Sequence, residues 1–272
     1  MIPYKRLYIY QIDGKVPQRD NGFPPEYIGT WQEEDDAFIF FSEESEAFVD
    51  GLLKCHPSLH LIERSALDYL EWQAGEEIRP FRVGRMAFIP AWEGTSPSVD
   101  EIPIWIDPSV VFGTGLHPTT RSCLEALWQL FQNGCPPKVI DLGTGTGILA
   151  LACAKLGAQE ILAVDHNPLA VKTALRNVKL NREGGRIRVV RGKAEKLIEE
   201  RADLLCGNLH YALLDRLLGN EAFFQKRWTI LSGFFKRETE GVVPRLEARG
   251  VMADILPCDG PWQTIVGSNL AP

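Results

Sequence analysis

The sequence predicts an α/β fold, in which a mostly parallel sheet carries helices on both faces, preceded by a small α+β domain. Strand and helix patterns alternate through residues 138–272. Glycines stand at positions 143, 145 and 147, directly after the first strand of this series, and Asp165 ends the next strand. Alternating strands and helices produce parallel sheets. A glycine-rich turn followed about 20 residues later by an acid is typical of a nucleotide-cofactor site.

Each element of this series has its own local signal. Gly157 ends the helix after the glycine turn, and Asn167 with Pro168 provides the N-cap and first helical residue of the next one. Strands are predicted at 138–141, 160–165, 186–191, 202–207, 228–232, 251–256 and 262–267, and helices at 148–155, 168–177 and 241–248. A Pro-Cys-Asp-Gly-Pro break separates the last two strands and predicts a hairpin. The resulting antiparallel strand distinguishes methyltransferase domains from dinucleotide-binding ones.

The N-terminal part follows a different pattern. Strands are expected at 6–11, 37–41 and 59–63 and a helix at 44–53, which together indicate a small α+β domain over residues 1–73. Residues 74–108 are rich in Gly, Pro and acids, with one strand-like stretch at 85–89, and are interpreted as a connector. Residues 109–272 then form the cofactor-binding domain.

The glycine turn favours S-adenosylmethionine over NAD. A dinucleotide site needs Gly-x-Gly-x-x-Gly, whereas here the third glycine comes one residue early and Ile148 follows it. Asp141 would repel a pyrophosphate but suits the ammonium and sulfonium of S-adenosylmethionine. Asp165 suits a ribose diol, since a carboxylate accepts both hydroxyl protons. A turn without any ligand is the alternative.

Composition sets further limits. With 45% hydrophobic and 24% charged residues the chain resembles an ordinary globular protein, and it has no apolar run of membrane-spanning length. Its N-terminus lacks an apolar signal core and its six cysteines are widely spaced, so we expect a cytoplasmic protein with reduced thiols and no metal site. A net charge of −7 argues against non-specific nucleic-acid binding and is compatible with a basic protein substrate.

A longer motif precedes the glycine turn. Residues 107–120 are Asp-Pro-Ser-Val-Val-Phe-Gly-Thr-Gly-Leu-His-Pro-Thr-Thr, and Gly-Asn-Leu follows at 207–209. Together with the turn and Asp165, these segments resemble the family of ribosomal protein L11 methyltransferases (PrmA-type), over about residues 72–267. The resemblance implies a seven-stranded class I S-adenosylmethionine-dependent methyltransferase domain of Rossmann-like fold. It also implies trimethylation of amino groups on a large-subunit ribosomal protein, with the N-terminal domain selecting that substrate.

The chain departs from the family pattern in two places. The segment before Trp72 is shorter than the two-repeat N-terminal domain that selects the substrate in this family, and it lacks one helix. Leu116 stands where members more often carry a small polar residue.

The resemblance also suggests which residues form the site. It implies cofactor contacts by Thr120, Gly143, Asp165 and Asn208, and it favours a flexible flap around Gly113 and Gly115 over a simple turn. The expected cofactor-binding set is Phe112, Gly113, Thr114, His117, Thr120, Asp141, Gly143, Gly145, Gly147, Asp165 and Asn208. Within that set, His117 precedes a proline. A lone histidine in this position more often packs a loop than acts as a base, so loop packing is the favoured interpretation of His117.

Asn208 is the expected catalytic residue. Asn208-Leu209-His210-Tyr211 resembles the Asn-Pro-Pro-aromatic motif of amino-group methyltransferases, in which the asparagine oxygen orients the amine. A strand end that only contacts the cofactor is the alternative. The hypothesis is therefore a methyltransferase for protein amino groups, either a lysine side chain or an N-terminal amine. There are two alternative hypotheses. One is methylation of another amine on RNA, DNA or a small molecule, and the other is a non-catalytic S-adenosylmethionine-binding module.

Overall fold

The computed structural model describes residues 4–17 and 22–269 of the 272-residue chain. The chain divides into two compact units. The smaller unit holds residues 1–78 with 167–169, and the larger one holds residues 79–166 and 170–272. The division at residue 78 lies inside the segment 74–108 that the sequence suggested as a connector.

The small unit is built on a four-stranded antiparallel sheet with the strand order β2-β3-β1-β4. Its elements are β1 (Arg6–Asp13), β2 (Tyr27–Glu33), β3 (Asp36–Phe41), α1 (Glu46–Cys55), β4 (His60–Asp68) and the short α2 (Tyr69–Trp72). Val49 of α1 packs with Ile12, Ile39 and Phe41 in the core of this unit. The sequence did not predict β2, because Gly29 and its polar C-terminal residues interrupt the apolar alternation.

The segment predicted as a connector contains a three-stranded sheet of β5 (Phe81–Val83), β6 (Met86–Pro90) and β7 (Ile102–Ile106). β6 pairs antiparallel with β5 and parallel with β7. Met86, Phe88 and Ile104 are completely buried in the main core of the larger unit. The interpretation of 74–108 as a mere connector is therefore wrong for residues 81–106, which form a layer of the larger unit.

The rest of the larger unit is a seven-stranded sheet in the order β10-β9-β8-β11-β12-β14-β13. Its elements are α3 (Pro118–Asn133), β8 (Lys138–Leu142), α4 (Ile148–Leu156), β9 (Glu160–Asp165), α5 (Pro168–Leu180), β10 (Ile187–Arg191), α6 (Ala194–Leu197), β11 (Leu204–Asn208), α7 (Tyr211–Leu217), a 3₁₀ helix (Glu221–Gln225), β12 (Trp228–Phe235), α8 (Lys236–Glu247), β13 (Val251–Pro257) and β14 (Trp262–Asn269). The first five strands are parallel, and β14 runs antiparallel to both β12 and β13. The predicted Rossmann-like fold with a terminal hairpin is confirmed.

Two apolar cores lie on the two faces of this sheet. One includes α3, α4 and the three-stranded sheet, and the other includes α7 and α8. Because β8, β9 and β11 are parallel neighbours, Leu142, Asp165 and Asn208 reach the same edge of the sheet. In open α/β sheets, ligands bind outside the carboxyl ends of the strands.

One predicted helix begins earlier than expected. α8 starts at Lys236 rather than near Gly241. The sequence did not predict this first turn, because its residues are polar and show no apolar periodicity. Glu238 instead stabilises that turn, since its Oε2 accepts a hydrogen bond from the Phe235 amide at 2.7 Å. Within the described ranges, no helix combines the length and apolar character that crossing a bilayer requires.

Candidate active site

The turn after β8 requires glycine at three positions. Gly143, Gly145 and Gly147 have φ angles of +69°, +55° and +85°, in the left-handed region that other residues rarely adopt. A Cβ at Gly145 would lie 2.6 Å from the carbonyl oxygen of Phe112. The Thr146 amide donates to that same oxygen at 3.2 Å. The turn and the segment before α3 are therefore in direct contact.

A second contact joins the turn to the predicted flap. The Thr146 hydroxyl donates to the carbonyl oxygen of Gly113 at 2.8 Å, and this bond is buried. Gly113 has a φ of +107°, and a Cβ there would lie 2.6 Å from Thr146 Oγ1. Thr114 Oγ1 accepts from the Leu116 amide at 3.2 Å within the loop. The glycine spacing of the flap thus permits its close approach to the cofactor turn.

Asp141 is a buried acid at the carboxyl end of β8, with only 1% of its surface exposed. Its Oδ2 accepts a hydrogen bond from the Thr144 hydroxyl at 2.5 Å. Its Oδ1 has no hydrogen-bond partner among the described residues. Burial raises the pKa of Asp141 to about 6, with a smaller contribution from the charge of Asp165, while the Thr144 hydroxyl and the Ala150 backbone amide act in the opposite direction. A cation beside Oδ1 would compensate for this burial.

Asp165 ends β9 and faces the same turn. Its Oδ2 accepts from the Gly145 amide at 3.1 Å, and its Oδ1 lies 3.6 Å from Nδ1 of His166. The Gly145 bond fixes the carboxylate relative to the glycine turn. This is the position from which an acid in this fold binds a ribose diol.

Asn208, at the end of β11, is held by two threonines of α3. Its amide Nδ2 donates to Thr119 Oγ1 at 3.0 Å and to Thr120 Oγ1 at 3.3 Å. Both threonines are buried, whereas Asn208 is partly exposed. No residue in the described part of the chain donates to Asn208 Oδ1. The side chain therefore keeps its acceptor oxygen available for a ligand.

His117 provides the N-cap of α3 and contacts two other rings. Its Nδ1 lies 2.7 Å from Thr119 Oγ1 and accepts from the Thr119 amide at 3.4 Å. The ring meets Phe112 edge-on at 5.3 Å between centroids and Trp262 at 4.8 Å. Phe235 stacks on Trp262 with 4.4 Å between the ring centroids. Burial lowers the pKa of His117, so the ring is neutral near pH 7.

Comparison with known proteins identifies the family. The family model described as ribosomal protein L11 methyltransferase (PrmA) matches residues 31–269, which is most of the chain. The chain belongs to this family. A ribosomal protein L11 methyltransferase of Heliobacterium modesticaldum is 37% identical over 69% of the chain, and one of Halalkalibacterium halodurans is 33% identical over 84%. These alignments span 60% and 74% of the two relatives, respectively.

A solved structure of the PrmA family shows the same fold. The ribosomal protein L11 methylase of Lactobacillus delbrueckii subsp. bulgaricus superposes with a TM-score of 0.62 and 24% identity. The match covers 70% of this chain and 98% of that one. It confirms the class I methyltransferase fold that the strand order had indicated.

Membership of the PrmA family implies S-adenosylmethionine as the cofactor, and the residues of the site fit it. Asp141 Oδ1 is a buried acceptor suited to a cation, and Asp165 is suited to the ribose. The three left-handed glycines allow the tight turn after β8 that the cofactor would approach. When bound, the cofactor supplies a methyl group on a positively charged sulfur.

The structure links the predicted site residues and adds others. Contacts through the glycine turn, the flap and the start of α3 connect residues predicted from widely separated segments. Thr119, Thr144, Thr146 and Asn177 were not predicted, although each hydrogen-bonds within this network. The two threonines of the turn alternate with its glycines in the sequence, which was the available signal. The individual binding roles remain predictions.

Proposed function

We propose that this protein is an S-adenosylmethionine-dependent methyltransferase that modifies an amino group of a ribosomal protein, either a lysine side chain or an N-terminal amine. The observation that carries the proposal is Asn208, whose Nδ2 is bonded to two threonines while its Oδ1 is left to accept. The relatives are named as methyltransferases of ribosomal protein L11, which supports that protein as substrate.

The chain's residues would act mainly by positioning. Transfer breaks the bond from the methyl carbon to sulfur and forms one to the amine nitrogen, so the leaving thioether is neutral and needs no acid. The amine must attack in its neutral form, while the ordinary pKa of lysine is about 10.4. Asn208 Oδ1 would accept one amine N–H and direct the nitrogen lone pair toward the methyl carbon. The ammonium would first lose one proton to water, and transfer to the neutral amine would then give the methylated ammonium and the neutral thioether.

The distribution of charge supports a basic protein as the substrate. Residues 1–78 contain six Lys and Arg against sixteen Asp and Glu, whereas residues 79–272 contain 23 against 20. The acidic excess is therefore confined to the N-terminal segment. A field of one sign attracts partners of the opposite sign, so this segment favours a basic protein over a nucleic acid. A ribosomal protein as substrate would also place the reaction in the cytoplasm.

Transfer of labelled methyl from S-adenosylmethionine to the cognate purified ribosomal protein L11 tests the proposal. We expect label in that protein, on an amine identified by mass spectrometry, and a large loss of label with Asp165→Ala. Label only in RNA or in another protein of a cell extract would contradict the substrate. Cofactor binding without transfer to any component would contradict the activity.

Asn208→Ala tests the catalytic assignment. We expect kcat to fall by about 100-fold, because misplacing a reacting group by about 1 Å lowers the rate by this factor. The effect on the free energy of unfolding should be smaller. Asn220→Ala is the matched control, because its side chain caps the 3₁₀ helix by accepting from the Ala222 amide at 2.9 Å. Equal loss of folding and turnover in Asn208→Ala would show that the residue is only structural.

A further inference from the structure

We propose that His117 is a positioning residue, which acts through the Thr119 hydroxyl to keep the carbonyl oxygen of Asn208 directed at the substrate amine. This inference rests on the proposed function for the identity of the amine. The observation behind it is a continuous chain of side chains from His117 Nδ1 to Thr119 Oγ1 at 2.7 Å and on to Asn208 Nδ2 at 3.0 Å.

The direction of each hydrogen bond follows from the protonation of His117. Nδ1 also accepts a hydrogen bond from the Thr119 backbone amide, which can only donate. Nδ1 is therefore unprotonated, and the ring proton is on Nε2. The Thr119 hydroxyl must then donate to Nδ1. Its oxygen has only lone pairs left for Asn208, and the group facing it must therefore be the Asn208 NH₂. With NH₂ fixed there, Oδ1 faces away from the threonines.

Protonation of His117 would reverse this order. With a proton on Nδ1, the ring donates to Thr119 Oγ1, and the Thr119 hydroxyl becomes free to donate to Asn208. The Thr120 hydroxyl, which accepts from Nδ2 at 3.3 Å, can donate as well as accept. The Asn208 amide can then rotate, bringing its oxygen to the two threonines and its NH₂ toward the substrate. An NH₂ group cannot accept a hydrogen bond from the substrate amine. The lone pair of the amine nitrogen is then no longer directed at the methyl carbon.

The surroundings of His117 favour its neutral form. The rings packed against it from the flap and from β14, Phe112 and Trp262, carry no charge. The cation in this part of α3 is Arg121, whose guanidinium donates to the Gly115 carbonyl at 2.8 Å and lies over the Phe81 ring. Burial is the cause that lowers the pKa of His117 below its ordinary value of 6.5.

Two variants separate positioning from mere capping. His117→Asn retains an acceptor at the N-cap and does not titrate, whereas His117→Ala removes the acceptor. We expect His117→Ala to lower kcat by between about 10- and 100-fold. We expect His117→Asn to restore most of that loss. Similar kcat values for the two variants would overturn the proposal.

The pH profile gives a readout that a structural role would not change. The ratio of wild-type kcat to that of His117→Asn should fall as the pH is lowered through the His117 pKa, which lies below 6.5. Asp141 and the substrate amine titrate in both proteins and cancel in the ratio. His60→Asn is the control, because His60 is an exposed histidine at the start of β4 and is not part of the site described above. A ratio independent of pH would contradict the proposal.

A measurement without turnover distinguishes failure of this inference from failure of the proposed function. Nitrogen NMR of the ¹⁵N-histidine-labelled protein, with His117 assigned through His117→Asn, should show an unprotonated Nδ1 and a protonated Nε2 at pH 7. The opposite tautomer would overturn the relay even if the enzyme is active. The expected tautomer without methylation of any amine would overturn the function on which the relay depends.

Discussion

At the scale of single residues, Asp141 is a buried acid whose ionised form lowers the stability of the folded protein. Its pKa of about 6 lies above the ordinary 3.8, so the folded protein holds the proton more tightly than the unfolded chain. The cost of burying its charge therefore grows as the pH rises from about 4 to about 6 and is complete above that range, at about 3 kcal/mol. A cofactor cation beside Oδ1 would remove part of this cost.

Asp141→Asn should accordingly raise the Tm of the cofactor-free protein at pH 8 and reduce the further rise in Tm on adding S-adenosylmethionine. At pH 5, where the wild-type carboxyl is protonated, the two proteins should differ much less. Thermal unfolding with and without cofactor at both pH values measures this. A lower Tm at pH 8, with the cofactor increment unchanged, would show that Asp141 does not face the cofactor cation.

The sequence predicted the residues of the site whose signals are local. Gly143, Gly145 and Asp165 lie in one short motif, and their spacing alone indicated a turn and an acid. Thr119 could not be predicted in this way, because its partner Asn208 is 89 residues away. Only the pairing of β11 beside β8 and the packing of α3 bring those side chains together. Contacts of this kind have no signature in a single sequence.

At the scale of elements, two asparagines of α5 hold β7 and the residue that directly follows it. Asn181 accepts from the Trp105 amide at 2.8 Å and donates to its carbonyl at 2.6 Å, and Asn177 bonds Asp107 in the same two ways. Asn177 and Asn181 are four residues apart and lie on one face of α5, and Trp105 and Asp107 are two residues apart on one side of an extended segment. Each asparagine therefore reaches one of these two residues. Asn177 also donates to the Thr146 carbonyl at 2.9 Å. Asn177 thus links the end of β7 to α5 and to the cofactor turn.

Asn177→Ala and Asn181→Ala should both lower the free energy of unfolding, by about 1–3 kcal/mol for each buried group left unpaired. Only Asn177→Ala should also weaken cofactor binding, by about tenfold or ~1.4 kcal/mol, because only Asn177 contacts the turn. Urea denaturation and calorimetric titration with S-adenosylmethionine measure the two effects. Equal loss of cofactor affinity in both variants would contradict a specific link from Asn177 to the turn.

At the scale of the whole molecule, the parallel sheet was predictable and the smaller sheets were only partly so. Five strands separated by helices can form few arrangements, since crossovers between parallel strands are short and right-handed. β5 and β7 have three and five residues, too few to show alternation. The order of the antiparallel sheet in the small unit depends on which strands pair, and β2 gave no apolar alternation from which to infer it.

The uneven distribution of charge leads to a prediction for the whole chain. If the acidic segment 1–78 attracts a basic protein, neutralising exposed acids there should raise KM for that substrate by about tenfold at low salt, with kcat unchanged. The effect should shrink as added salt shortens the screening length to ~10 Å at 0.1 M. Suitable exposed acids are Glu43, Glu44 and Glu63, each changed to Gln.

The matched control removes the same charge from residues 79–272, through Glu199→Gln, Glu240→Gln and Asp254→Asn, all of which are exposed. Net charge then changes equally in both triple variants, so a difference between them reports where the charge lies rather than how much there is. Steady-state rates from low to high salt, with the cofactor saturating, provide the comparison. Equal KM values for the two variants would mean that the acidic segment does not attract the substrate, and that selection depends on uncharged contacts.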